Sequence, residues 1–144
     1  MRTIKFRGKR INDGKVIYSS IIDIWGNTAK FGRPTREFGN WTVRWELVDP
    51  ESVGQFTEFL DKDGAEVYEG DTLELDYDGA AKVIGDGSLI RDLEIVKPTA
   101  EAKLKVEFSH GRYQLRWRTK NGCVDTGIDL YLLESVKQFV RRCD

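Results

Sequence analysis

The chain has 144 residues, of which 40% are apolar and 33% charged, and its formal net charge is −1. A chain of this length buries about two thirds of its unfolded surface and needs neither metal nor disulfide to fold. No apolar run approaches the ~20 residues of a membrane span, and Cys123 and Cys143, the only cysteines, have no metal-ligand spacing.

Taken in chain order, residues 3–8 are short and β-prone, and Asn12-Asp13-Gly14 marks a turn. Val16 to Trp25 is β-branched and apolar at successive positions, which predicts one strand covered on both sides. Residues 26–40 hold Gly26, Asn27, Gly32, Pro34 and Gly39 and read as a long irregular loop. Trp41 to Leu47 alternates cleanly. Trp41, Val43, Trp45 and Leu47 share one face, the pattern of a core-facing strand. Asp63-Gly64 then punctuates a hairpin, with Phe56 and Phe59 before it and Val67 and Tyr68 after it. Residues 72–78 form another period-2 strand, with Leu73, Leu75 and Tyr77 inward and Glu74, Asp76 and Asp78 outward. Residues 79–103 read as an insertion, within which Gly85-Asp86-Gly87 is a turn. On the strand 112–118, Tyr113, Leu115 and Trp117 face inward, while Arg112, Gln114, Arg116 and Arg118 line the outside. At the C-terminus Leu132, Leu133, Val136, Phe139 and Val140 fit one face of an amphipathic helix.

The motifs around the hairpin resemble the YopX family, small proteins encoded by phages and prophages. The central match is Val53-Gly54-Gln55-Phe56-Thr57, Asp61-Lys62-Asp63-Gly64 and Glu66-Val67-Tyr68-Glu69-Gly70-Asp71. Before it come Ile4 to Arg10, Tyr18-Ser19 and Val48 to Val53; after it come Lys105-Val106-Glu107-Phe108 and Gly111-Arg112-Tyr113. Glu134 to Val140 departs from the family by lacking its Gly-Asn pair. The resemblance implies a phage or prophage origin and a terminal strand where the periodicity favours a helix; it carries over no catalytic residue. A terminal strand and a short C-terminal helix both stay open at 130–142.

These readings give a mainly β protein and a single domain over residues 1–144, with N-terminal strands over 1–60 packed on a part spanning 61–144. A small SH3-like barrel is expected over 66–118. The positively charged N-terminus lacks a hydrophobic segment and so is no secretory signal; the expected place is the cytoplasm of a bacterial host cell, with no membrane association.

The chemistry the residues support is thin. The acidic run 61–69 misses the alternate ligand positions of a calcium loop, because Ala65 stands at the third. His110, the only histidine, sits in a Ser-His-Gly turn with no nucleophile signature near it. The chain lacks the P-loop, the dinucleotide fingerprint and the zinc-protease helix. The protein is therefore expected not to be an enzyme and to use no cofactor or metal.

Charge is segregated along the chain. Twelve acidic residues and one basic, Lys62, lie between Glu46 and Asp78, while six basic residues and one acidic, Glu107, lie between Lys103 and Lys120. If 72–78, 103–109 and 112–118 form a meander, these faces neutralise each other. Otherwise Lys105, Arg112, Arg116 and Arg118 are the candidates for phosphate contacts. The leading expectation is an accessory protein that acts by binding a host or phage protein, through Phe31, Arg33, Arg36 and Phe38 of the 26–40 loop. The alternatives are a nucleic-acid-binding module and, third, a small metal-dependent hydrolase or nuclease; a second copy of the chain is also an open partner.

Overall fold

The computed structural model describes residues 3–84, 103–109, 112–119 and 122–143, and is mainly β. Its compact units are Met1–Phe56 and Thr57–Asp144.

In the first unit, β1 (Phe6–Lys9) pairs antiparallel with β2 (Val16–Ser19) and with the start of β6 (Gly54–Leu60). A separate antiparallel sheet has the order β3 (Ile21–Trp25), β4 (Thr28–Glu37), β5 (Asn40–Val48). The expected single strand Val16–Trp25 is thus two strands, and it is not covered on both sides, because Val16, Tyr18, Ile24 and Trp25 are exposed. Ser19 holds the break: its hydroxyl donates to the Gly32 carbonyl at 2.6 Å and accepts from the Ile21 N–H at 2.9 Å.

The expected loop 26–40 is also a strand and a turn. β4 and β5 pair without a register shift from Ala29↔Val48 to Glu37↔Asn40. Gly32 and Pro34 read as loop formers, yet each fits the ladder. A Cβ at Gly32 would meet Ile21 Cγ2 at 2.7 Å and Val43 Cγ1 at 2.8 Å, so the glycine makes room for both. Pro34 lies beyond the end of β3, whose last pair is Ile21↔Gly32, and its missing donor therefore costs no ladder bond. Phe38 and Gly39 form the two-residue turn with φ of 51° and 80°, both positive as a type I′ hairpin turn requires. The core of this unit is small: Ala29, Phe31 and Val48, with Phe6, Ile17, Ile22 and Val53 packed on them.

The second unit holds a five-stranded antiparallel sheet in the order β11 (Gly122–Asp129), β10 (Arg112–Thr119), β9 (Lys103–Ser109), β8 (Thr72–Leu75), β12 (Val140–Cys143). The end of β6 and β7 (Glu66–Tyr68) enclose the turn at Asp63-Gly64. Among the described residues β11 and β12 are the sheet's edges, so the pairings there do not close a barrel. The expected meander exists as β8–β9–β10. Its first strand is shorter than expected: it ends at Leu75, and Tyr77–Ile84 form helix α1, where the Asp76 carboxylate accepts from the Gly79 N–H at 3.1 Å. The rest of the insertion, 85–102, lies outside the described residues, as does His110.

The C-terminus combines both readings. Leu130–Phe139 is 3₁₀-helical, broken at Val136 where φ is −124°, and Val140–Cys143 is the strand β12. Leu130, Leu133, Val136 and Val140 join Phe59, Val67, Leu73, Leu104, Val106, Tyr113 and Leu115 in the core of this unit. Gln114, expected on the outside, is buried.

The polar residues of the 57–71 motif are structural. The buried Asp61 carboxylate accepts from the N–H groups of Asp63 at 2.8 Å, Ala65 at 2.9 Å and Arg142 at 2.9 Å, tying the turn to β12. Asp71 accepts from the Tyr68 N–H at 2.8 Å, and the Thr57 hydroxyl donates to the Val67 carbonyl at 2.7 Å. Gly64 and Gly70, at φ of 77° and 91°, make the two turns.

Candidate functional site

The β4–β5 hairpin places its side chains on two faces according to register. Residues directly opposite share a face. Arg36 with Trp41, Pro34 with Val43, Gly32 with Trp45 and Lys30 with Leu47 make one face; Arg33 with Arg44, Thr35 with Thr42 and Phe31 with Glu46 make the other.

The β5 row of the first face is apolar and exposed. Trp41 is 72% exposed, Val43 38%, Trp45 46% and Leu47 49%. This corrects the core-strand reading of 41–47. The alternation is real, but among the described residues the buried apolar cluster of this unit gathers around Phe31 and Val48 on the opposite face, and only Ile21 comes up beside Val43 on the tryptophan face. Arg36 sits over the Trp41 ring at 5.7 Å from its centroid, a cation–π contact.

The expected partner residues divide. Phe31 is 2% exposed in the small core and is no contact residue; a Cβ on Gly8 would meet its ring at 3.1 Å. Phe38 is fully exposed at the hairpin tip, in a left-handed conformation that a bulky residue adopts at a cost of about 1 kcal/mol or more. Arg36 belongs to the tryptophan face. Arg33 lies on the other face and pairs with Glu46 at 3.5 Å. Glu46 also accepts from Arg10 at 3.1 Å, and Arg10 in turn grips Asp13. That hydrogen bond raises the Arg10 pKa and holds the Asp13 carboxyl well below the usual range.

Two of the four alternative cations, Lys105 and Arg116, are paired with carboxylates. Arg116 meets Glu107 at 2.7 Å, Lys105 meets the same carboxylate at 3.4 Å, and Lys103 meets Glu74 at 3.3 Å. The hydrogen bond from Arg116 is the largest influence lowering the Glu107 pKa, against its partial burial. Arg112 is exposed at the start of β10, and the Arg118 side chain lies outside the described residues.

Charge also divides by unit. Residues 1–56 carry ten Lys and Arg against six Asp and Glu, a net of +4; residues 57–144 carry thirteen against eighteen, a net of −5.

A polar cleft of about 410 Å³ in the second unit is lined by Asp61, Asp63, Glu74, Lys103, Arg141 and Cys143, among others. Asp61, Glu74, Lys103 and Arg141 are already engaged. Glu74 holds Arg141 at 2.6 Å besides Lys103, which lowers its pKa, and burial pushes the Cys143 thiol up, with Glu74 adding to it. Among the described residues no His, Cys, Asp or Glu cluster could hold a metal, and no helix is long and apolar enough to cross a membrane. The Cys123 side chain lies outside the described residues.

The exposed apolar row that the core-strand expectation missed is Trp41, Val43, Trp45 and Leu47. The available signal was the shortage of a second amphipathic strand upstream to cover them. No family model, curated protein or solved structure matches the chain.

Proposed function

We propose that the protein acts by binding another protein, through the tryptophan face of β5 and the adjoining tip residue Phe38. The observation that carries this reading is the row Trp41-Val43-Trp45-Leu47, exposed on one side of a regular strand. Exposed contiguous apolar surface of this kind marks interaction sites, and Trp and Arg, here Arg36 over Trp41, are enriched at binding hot spots. A β-hairpin fixed by an unbroken ladder presents these groups at little entropic cost. The YopX-like motifs support placing the protein as a phage- or prophage-encoded accessory factor in the bacterial cytoplasm, with a host or phage protein as partner and no catalysis of its own. The β8–β9–β10 meander is the one element in favour of an SH3-like arrangement over 66–118, although the described sheet is open.

The test is a photo-crosslinking amino acid at position 43 in host lysate, comparing the otherwise native chain with a Trp41→Ser, Trp45→Ser variant. A discrete adduct that disappears in the variant supports the reading. Adducts unaffected by the tryptophans refute it.

One observation favours a second reading. The net +4 of the first unit and the Arg36–Trp41 pair suit single-stranded nucleic acid, whose bases stack on aromatic rings beside cations. Salt-sensitive quenching of tryptophan fluorescence by oligodeoxythymidine would establish it in place of the first.

A further inference from the structure

Beside the tryptophan face, β5 has a second unusual feature, an open edge. Its inner end is paired: the Ile11 N–H donates to the Leu47 carbonyl at 3.0 Å and the Asp49 N–H to the Lys9 carbonyl at 2.8 Å, around the bridge Arg10↔Val48. The chain then turns away at residues 11–13, where the Gly14 N–H returns to the Arg10 carbonyl at 2.8 Å. Because Leu47 points its backbone outward and alternate residues point the same way, Trp41, Val43 and Trp45 offer their N–H and C=O groups at the same edge. Among the described residues nothing pairs with them. No proline, lysine or bulge interrupts 40–48, and the charged residues of the strand, Arg44 and Glu46, both lie on the face opposite the tryptophans.

The other face of the same edge is charged. Arg33 and Arg44 are directly opposite, a destabilising like-charge pair. The nearby carboxylate, Glu46, is shared by Arg10 and Arg33. Among the described residues Arg44 has no ion-pair partner.

Resting on the protein-binding reading above, we propose that the partner donates one extended strand to the edge 41–45, continuing the ladder that Lys9–Ile11 begin. That strand carries apolar side chains beside Trp41, Val43 and Trp45, and a carboxylate on the opposite face, next to Arg44. Main-chain bonds supply affinity in such strand addition, and alternate side chains supply specificity.

The probe is an acetylated, amidated peptide alternating valine and glutamate, titrated by tryptophan fluorescence. Controls are a valine–lysine peptide and a valine–glutamate peptide of the same composition in blocks. The alternating acidic peptide should bind at least about tenfold tighter than either control. Arg44→Glu should reverse the preference toward the lysine peptide. Val43→Pro removes an outward donor without touching the β4 ladder and should weaken binding about tenfold or more; if that variant melts, N-methylation of the peptide's alternate amides tests the same bonds on the native chain. Binding lost in Trp41→Ser, Trp45→Ser but unchanged by Val43→Pro and N-methylation overturns the edge proposal and leaves the face reading standing. Equal binding of the acidic and lysine peptides overturns it as well. Sedimentation showing a dimer that Val43→Pro dissociates overturns the stated partner chemistry in favour of a second copy. Quenching by oligodeoxythymidine with no response to any peptide overturns both this proposal and the protein-binding reading.

Discussion

β5 and the first half of β9 carry the same sequence signal and meet opposite fates. Trp41-Val43-Trp45-Leu47 and Leu104-Val106 both place apolar residues at every second position. Leu104 and Val106 are buried, because the 3₁₀ segment Leu130–Phe139, Phe59 and Val67 contribute to the same core. The β5 row is exposed. Alternation therefore shows that a strand has an apolar face; whether a second layer covers that face depends on the rest of the chain. In the second unit a layer is available, whereas in the first the apolar side chains pack around Phe31 and Val48.

The sharpest way to break this comparison is to truncate one residue on each side of it. Leu115 is fully buried among Leu104, Val106, Leu133 and Val136, and Leu115→Ala should cost about 2–5 kcal/mol, read as a lower urea midpoint. A loss under about 1 kcal/mol would mean that the second unit's core is not packed as described.

Asp61 sharpens it next. Removing its carboxylate with Asp61→Ala leaves the N–H groups of Asp63, Ala65 and Arg142 without their acceptor, a loss of about 2 kcal/mol. Burial pushes the Asp61 pKa up, but the hydrogen bonds from Arg142, Ala65 and Asp63 together outweigh it and hold it low. A depressed folded-state pKa means that this stabilisation is present above about pH 4, the unfolded value, and fades as pH falls through the folded one. The native chain should lose stability on acidification more steeply than Asp61→Ala in urea melts across that range; parallel curves would remove Asp61 from the account.

Gly64→Val forces a β-branched side chain into φ of 77° and should cost about 1–2 kcal/mol. An unchanged melting temperature would mean the turn is placed wrongly. Arg116→Glu sets a like charge against Glu107 and should cost under about 1 kcal/mol, more at low salt than at high. An effect independent of salt would mean that packing, not charge, is what Arg116 contributes.

Much of the second unit was legible because its signals are local. Asp63-Gly64 and Gly70-Asp71 mark turns whose backbone only glycine adopts freely, and Leu73, Leu75 and Tyr113 obey period 2. The first unit misled for a physical reason. Gly32 and Pro34 normally end strands, but here one accommodates Ile21 and Val43 and the other stands past the end of β3, so both sit inside β4. The β8 strand stops at Leu75 because Asp76 caps a helix, a competition that alternation over 72–78 does not reveal. Of the expected contact residues, Arg36 and Phe38 stand at the uncovered face and tip, while Phe31 is core. An aromatic flanked by glycine and lysine reads as loop until its register with Ile22 and Glu46, and its packing on Val48 and Gly8, are known.

The smallest expected effect tests the comparison most directly. Trp41 and Trp45 are large, and if β5 packed like β9, replacing either would cost about 3–5 kcal/mol, the usual loss for a core tryptophan. Exposed as they are, Trp41→Ser and Trp45→Ser should each change stability by no more than about 0.5 kcal/mol. Serine also keeps the outward backbone groups of the edge, so any binding defect belongs to the face. Urea melts followed by circular dichroism on both single variants supply the number, and acrylamide quenching of the native chain supplies the exposure independently. A loss of several kcal/mol would show that something covers the β5 row and would remove the surface on which the proposed function rests.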